Sequence, residues 1–141
     1  MTAEPEQARK TLKIVLDSNV LFVPLQFKID IFKELKALLN TNFELLLLSP
    51  IRRELEKLAE EGPPKMRKNA SYALKLAEKC KLVEVDGEFA ASTDDVIIKF
   101  AREQNCPVFT NDSQLRKRLR DINMPVIYLR QKSRLQIEGM I

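Results

Sequence analysis

The sequence predicts an α/β protein, a three-layer sandwich of helices around a central parallel sheet of about five strands. Short apolar runs alternate along the chain with stretches of helical periodicity, the order expected when parallel strands are joined by helical crossovers. The runs are apolar at consecutive positions, as strands covered on both faces are. Carboxylates recur where these runs end and helices begin, and in an open α/β sheet such points converge on one crevice.

Each element has its own signal. Residues 1–10 are polar and read as a flexible leader, and 11–141 as one domain. The run Leu12-Lys13-Ile14-Val15-Leu16 is the first strand, closed by a turn at Asp17-Ser18-Asn19. Ile31, Phe32, Leu35, Leu38 and Leu39 fall at helical spacing and predict a helix over 29–39. Residues 43–48 read as a buried strand. Ser49-Pro50 then predicts a helix start, with serine at the cap and proline at the first position, and Gly62-Pro63-Pro64 ends that helix. A helix over 65–79, a short strand over 82–85 and a loop over 87–92 come next. Thr93 is the expected cap of a helix opening at Asp94. Residues 107–111 form the fourth strand with its exit, 112–121 a helix, and 126–129 the fifth strand.

Composition narrows the function. Apolar residues at 45% and charged residues at 31% of 141 residues are ordinary for a soluble globular chain with a proper core. The start lacks the apolar region of a signal peptide, and no run approaches the length of a membrane span. Cys80 and Cys106, without a secretion signal, read as reduced, buried thiols of a cytoplasmic protein. With no histidine and two cysteines, a structural zinc site is nearly excluded. The formal net charge is +4, but it is unevenly spread. Between Asp112 and Arg134 the basic residues Arg116, Lys117, Arg118, Arg120, Arg130, Lys132 and Arg134 face only Asp112 and Asp121. Lys65, Arg67 and Lys68 form a second basic cluster. A basic surface beside an acidic pocket suits a polyanion such as RNA; the plain alternative is a solvated helix face.

The candidate site residues are Asp17, Glu54, Asp94 and Asp112. Each has an ordinary structural alternative: Asp17 as an Asx-turn residue, Asp94 and Asp95 as partners of a helix macrodipole, and Asp112 as an N-cap. Their joint placement is what argues for a site. At about 100° per residue, Glu54 lies roughly 70° from the centre of the Ile51, Leu55 and Leu58 stripe, bordering the interior, while Glu56 and Glu60 point to solvent. Asp94 lies about 90° from the stripe of Val96, Ile97, Phe100 and Ala101, and Asp95 nearly opposite it. Asp94 is therefore the expected pocket acid, with Asp95 a supporting or merely exposed one. Converging carboxylates repel one another, and hard oxygen-liganded cations, Mg²⁺ or Mn²⁺ as one or two ions, relieve that repulsion.

On Val15-Leu16-Asp17-Ser18-Asn19, Glu54 in Arg52-Arg53-Glu54-Leu55, Asp94 with Ala101 in its helix, and Thr110-Asn111-Asp112, the chain resembles the PIN-domain nucleases over essentially its full length. The VapC-like members are included in that likeness. The ending from Asp112 through Pro125-Val126-Ile127-Tyr128-Leu129-Arg130 to Ile141 is similar to the branch that processes small-subunit ribosomal RNA, in an archaeal rather than a eukaryotic form, since the extra cysteine and histidine features are missing. The resemblance implies a metal-dependent endoribonuclease leaving a 5′-phosphate and a 3′-hydroxyl, in rRNA processing or toxin-type cleavage. Asp17, Asp94, Asp112 and Glu54 would be metal ligands, and Ser18, Asn19 and Thr110 supporting polar groups. A homodimer and an antitoxin or ribosome-assembly partner are further implications. The competing expectation is a non-catalytic RNA-binding or assembly module of the same fold, against which stands the presence of all four acids. A nucleotide-binding doubly wound domain fits poorly, since only Gly62, Gly87 and Gly139 are available for a phosphate loop.

Overall fold

The computed structural model describes residues 11–86 and 92–141; the expected leader over 1–10, and all but the last residue of the expected loop over 87–92, lie outside them. Six strands form one sheet: β1 (Leu12–Leu16), β2 (Phe43–Leu48), β3 (Lys81–Val83), β4 (Val108–Phe109), β5 (Val126–Arg130) and β6 (Arg134–Glu138). Their spatial order is β3-β2-β1-β4-β5-β6, parallel from β3 through β5, with β6 antiparallel to β5. The α/β class is as expected; the sixth strand is an addition that turns a parallel sheet into a mixed one. Its hairpin bends at Gln131 and Lys132, both with positive φ (56° and 59°). Neither belongs to the Asn-Gly or Asp-Gly pairs that announce such turns.

The helices are α1 (Val23–Phe27), α2 (Ile31–Leu39), α3 (Ser49–Glu61), α4 (Pro64–Ala77), α5 (Thr93–Gln104) and α6 (Ser113–Asp121), with a 3-10 turn at Ser18–Phe22. That 3-10 turn and α1 occupy a stretch of which the sequence reading assigned only the turn at Asp17-Ser18-Asn19. The expected helix over 29–39 starts two residues later because Asp30 caps it, accepting from Phe32 and Lys33 N–H. Asn40 then ends it in the left-handed conformation, φ 50°.

Two expected caps are displaced. Leu48 holds the N-cap position of α3, and Ser49 instead spends its hydroxyl on the backbone of Val85, accepting from N at 3.0 Å and donating to O at 3.3 Å. Ser92, one residue before the expected Thr93, caps α5 by accepting from Asp95 N–H. The strand expected over 82–85 is shorter and earlier, and pairs Leu47 with Leu82.

β1 lies at the centre, and Ile14, Val15 and Leu16 are fully buried between β2 and β4. Ile31 and Leu35 of α2, Ile51 and Leu55 of α3, Ile97 and Ala101 of α5, and Leu115 and Leu119 of α6 join them in one core. Each fully buried aliphatic side chain contributes roughly 1.5–3 kcal/mol. Cys106 is buried and Cys80 partly so; both are free, and burial pushes the Cys80 thiol up to about 11. Among the described residues no helix is long and apolar enough to cross a membrane.

The order of the strands creates the place for a site. From β1 the chain moves outward to β2 and β3, then returns across the sheet to β4 on the other side of β1. The sheet therefore switches direction between β1 and β4, and a crevice opens at their C-terminal ends.

Candidate active site

Asp17 and Thr110 flank that crevice because β1 and β4 are paired in register, Leu16 beside Phe109. Asp17 N–H donates to Phe109 O at 3.0 Å, which places the residues after the two strands side by side. The Thr110 hydroxyl, fully buried, donates to Asp17 Oδ2 at 2.7 Å and accepts from Asp112 N–H at 3.0 Å. Asn19 Nδ2 donates to the same carboxylate oxygen at 3.2 Å, and Ser18 N–H to Oδ1 at 2.8 Å. Asn19 Oδ1 in turn accepts from Asn111 N–H at 3.2 Å, and Asn111 Oδ1 from Leu129 N–H at 2.9 Å. The polar network thus ties the exits of β1 and β4 to β5. Ser18 acts through its backbone here, Asn19 and Thr110 through their side chains.

Asp17 is only 7% exposed. Burial raises its pKa above the ordinary value, opposed by the Thr110 bond and reinforced by the charge of Asp94, with smaller effects from Ser18 N–H and Asp112. Asp94, in the first turn of α5, is raised first by burial and then by Asp112, while Arg118 pulls it down and Asp95 pushes it up. Glu54 is raised by partial burial and by the charges of Asp17 and Asp94. The four acids therefore share one electrostatic neighbourhood, built from β1, α3, α5 and the start of α6.

Individual expectations need adjustment. Glu54 is exposed at the mouth of the crevice instead of bordering the interior, and Glu56, expected to be solvated, is partly covered and paired with Arg52 at 3.2 Å. Asp112 is the N-cap, Oδ1 accepting from Gln114 and Leu115 N–H, and its charge also reaches Asp17 and Asp94. Asp95 turns toward α6 and pairs with Arg118 at 2.8 Å.

The basic stretch is less free than its sequence suggests. Arg116 lies over the Tyr128 ring at 4.0 Å and faces Glu138 at 3.9 Å. Arg120 donates to Met124 O, and Arg130 to Gln136 Oε1. With Arg118 held by Asp95, four of the seven have intramolecular partners; Lys117, Lys132 and Arg134 stand exposed. Sequence reading also passed over Lys99 and Arg102, exposed on α5 in a cleft that Asp95 and Arg118 also line. Their signal was a three-residue helical spacing on the polar side of that helix.

Among the described residues no three acidic, cysteine or histidine side chains close into a ready-made metal cage. The acids act on one another through their charges without closing into a cage. Their donors nevertheless fit a hard cation: they are all oxygens, and Asp17 is desolvated among like charges.

Fold and site together define an α/β protein with an acidic crevice at the switch point of its sheet. A family model described as a PIN-like domain matches residues 14–132, and the chain belongs to that family. It is 38% identical over 132 residues to Ribonuclease VapC4 of Methanocaldococcus jannaschii, covering 92% of this chain and 98% of that protein. It is 31% identical over 138 residues to Ribonuclease VapC9 of Archaeoglobus fulgidus, with 98% of each covered. Among solved structures it resembles the PIN domain endonuclease Utp24, with a TM-score of 0.73, 25% identity and 92% of both chains covered. The structure of VapBC2 from Rickettsia felis bound to a promoter DNA fragment has the same fold, with a TM-score of 0.63 at 15% identity over 84% of this chain and all of that one.

Proposed function

We propose that the protein is a divalent-metal-dependent endoribonuclease whose reaction takes place at Asp17, Glu54, Asp94 and Asp112. The observation that carries this reading is the buried Asp17 carboxylate, held by Thr110 at the sheet's switch point and facing the charge of Asp94 and Asp112. Two relatives that match nearly the whole chain are named ribonucleases, which supports RNA as the substrate. Asp17, Asp94 and Asp112, with Glu54 at the mouth, would hold Mg²⁺ or Mn²⁺, as one or two ions. Such an ion neutralises phosphoryl oxygens and acidifies water, chemistry a chain without histidine needs from elsewhere. Thr110, Asn19 and Ser18 N–H together hold the Asp17 carboxylate in place. Glu54, exposed and with a raised pKa, orients water or takes up its proton.

The reading extends to a cytoplasmic protein, to a homodimer, and to a protein partner of antitoxin type, supported by the family alone. Toxin-type cleavage is favoured over ribosomal RNA processing because the names of both relatives are of the VapC kind.

Cleavage of single-stranded RNA in Mn²⁺, Mg²⁺ or chelator tests the proposal. Asp94→Asn should abolish cleavage while RNA affinity holds or improves, since a repulsive charge is lost. Asp95→Asn should do less harm because that carboxylate faces Arg118. Undiminished metal-dependent cleavage by Asp94→Asn would overturn the assignment, as would an inactive Asp95→Asn beside an active Asp94→Asn.

A further inference from the structure

We infer that the cleft between α5 and α6 is the track along which the RNA backbone leaves the acidic crevice, with Lys99, Arg102 and Arg118 as its phosphate contacts. The inference rests on the ribonuclease reading and gives its substrate a path. The cleft has a volume of about 450 Å³ and is lined by Asp95, Ile98, Lys99, Arg102, Glu103 and Arg118. Its end at Asp95 and Arg118 is joined to Asp94: Asp95 comes straight after it in sequence, and the charge of Arg118 is felt there. From Asp95 to Arg102 it runs along seven residues of helix, about 10 Å at the rise of an α-helix.

Its lining suits a polyanion better than a small apolar ligand. Ile98 is the sole apolar side chain among the six. Asp95 is occupied by Arg118, leaving Glu103 against Lys99 and Arg102, two exposed cations that take part in none of the ion pairs among the described residues. Arg118 commits one of its five N–H donors to Asp95, so the guanidinium is held at the boundary between crevice and cleft with donors to spare. By contrast, Arg116, Arg120 and Arg130, on and beyond α6, are engaged within the protein. Of the cations lining this cleft, Lys99 and Arg102 on α5 are thus the ones in none of the ion pairs among the described residues.

Phosphate contacts of this kind give affinity and register without reading bases, and each one lost lowers the salt dependence of binding to a single strand by about 0.7 in log–log slope. The test measures binding of a fluorescently labelled oligouridylate to the full chain in chelator, across a range of salt. Lys99→Ala/Arg102→Ala should weaken binding several-fold and flatten the slope by about 1.4. Both side chains are exposed, and alanine favours the helix. Lys33→Ala/Lys36→Ala, which removes equal charge from the exposed side of α2, serves as the control and should change neither quantity appreciably. A Lys99→Ala/Arg102→Ala variant that binds like this control overturns the cleft assignment, even if the wild type cleaves RNA. A wild type that binds with the expected slope, loses it in Lys99→Ala/Arg102→Ala, but cleaves nothing in Mn²⁺ or Mg²⁺ supports the cleft and overturns the nuclease reading.

Discussion

Thr110 shows how much one hydroxyl can organise. It is fully buried, gives its proton to Asp17 and takes one from the backbone of Asp112, so it joins two acids that repel each other. Thr110→Val keeps the shape and removes the oxygen. The half-buried Asp112 N–H then lacks its partner and the buried Asp17 carboxylate keeps only Ser18 N–H and Asn19 as donors, a combined loss of about 1–3 kcal/mol. Denaturant titration should show a loss of that order, with RNA cleavage lowered as well, whereas Thr110→Ser should recover most of both. Equal stability of wild type and Thr110→Val would remove Thr110 from its organising role. At this scale three of the acids could be nominated from the sequence because Asp17 ends a run and Asp94 and Asp112 open helices, and Glu54 from its place on a helical wheel, but their surroundings could not be read there. The helical wheel turned Glu54 inward by angle alone; the depth of a side chain depends on what covers that turn of helix, which is a tertiary fact. Asp112 illustrates the converse. Its cap and its crevice placement looked like alternatives, but both capping bonds go to Oδ1 and its charge still reaches Asp17 and Asp94, so the two are compatible.

Among the elements, those with long apolar runs were legible and those set by backbone geometry were not. Parallel β1 and β2, with three and four buried positions in succession, announced themselves. β6 did not, since Gln131 and Lys132 adopt positive φ without the glycine or asparagine that such a turn usually recruits. Ser49 looked like a cap because serine before proline generally is one; here the chain leaving β3 offered it a better-placed backbone partner. Closure of the sheet by β6 also depends on Gly139, where φ is +97° and a Cβ would run into the Arg120 guanidinium and stand 3.1 Å from Pro125 Cα. Arg120 is the side chain that donates to Met124 O at the end of α6. Gly139→Ala should displace it and strain the backbone, costing on the order of 1–3 kcal/mol. Thermal melting reads this out directly; an unchanged midpoint would mean that the strand end yields without consequence.

For the molecule as a whole, the acidic crevice costs folding stability at neutral pH. Burial and mutual repulsion hold Asp17, Glu54 and Asp94 above their ordinary values of 3.8, 4.5 and 3.8. A group whose pKa is higher folded than unfolded favours folding when protonated. That contribution is complete below the ordinary carboxylate range and is lost as pH rises through the raised pKa. In chelator, then, these three acids oppose folding at pH 7, and mild acidification should relieve them. A divalent cation bound in the folded state alone relieves the same repulsion at neutral pH, and by mass action adds about 1.4 kcal/mol at ten times its dissociation constant. For a chain of this size that amounts to a few degrees in midpoint. Millimolar Mn²⁺ should accordingly raise the melting temperature at pH 7 by such an amount, and by less as the pH falls into the carboxylate range, where protons compete with the ion. Asp17→Asn/Asp94→Asn should lose the Mn²⁺ shift and most of the pH dependence together, because both arise from the same charges. A shift that persists in that variant would place the ion elsewhere on the protein and detach the acidic crevice from metal binding.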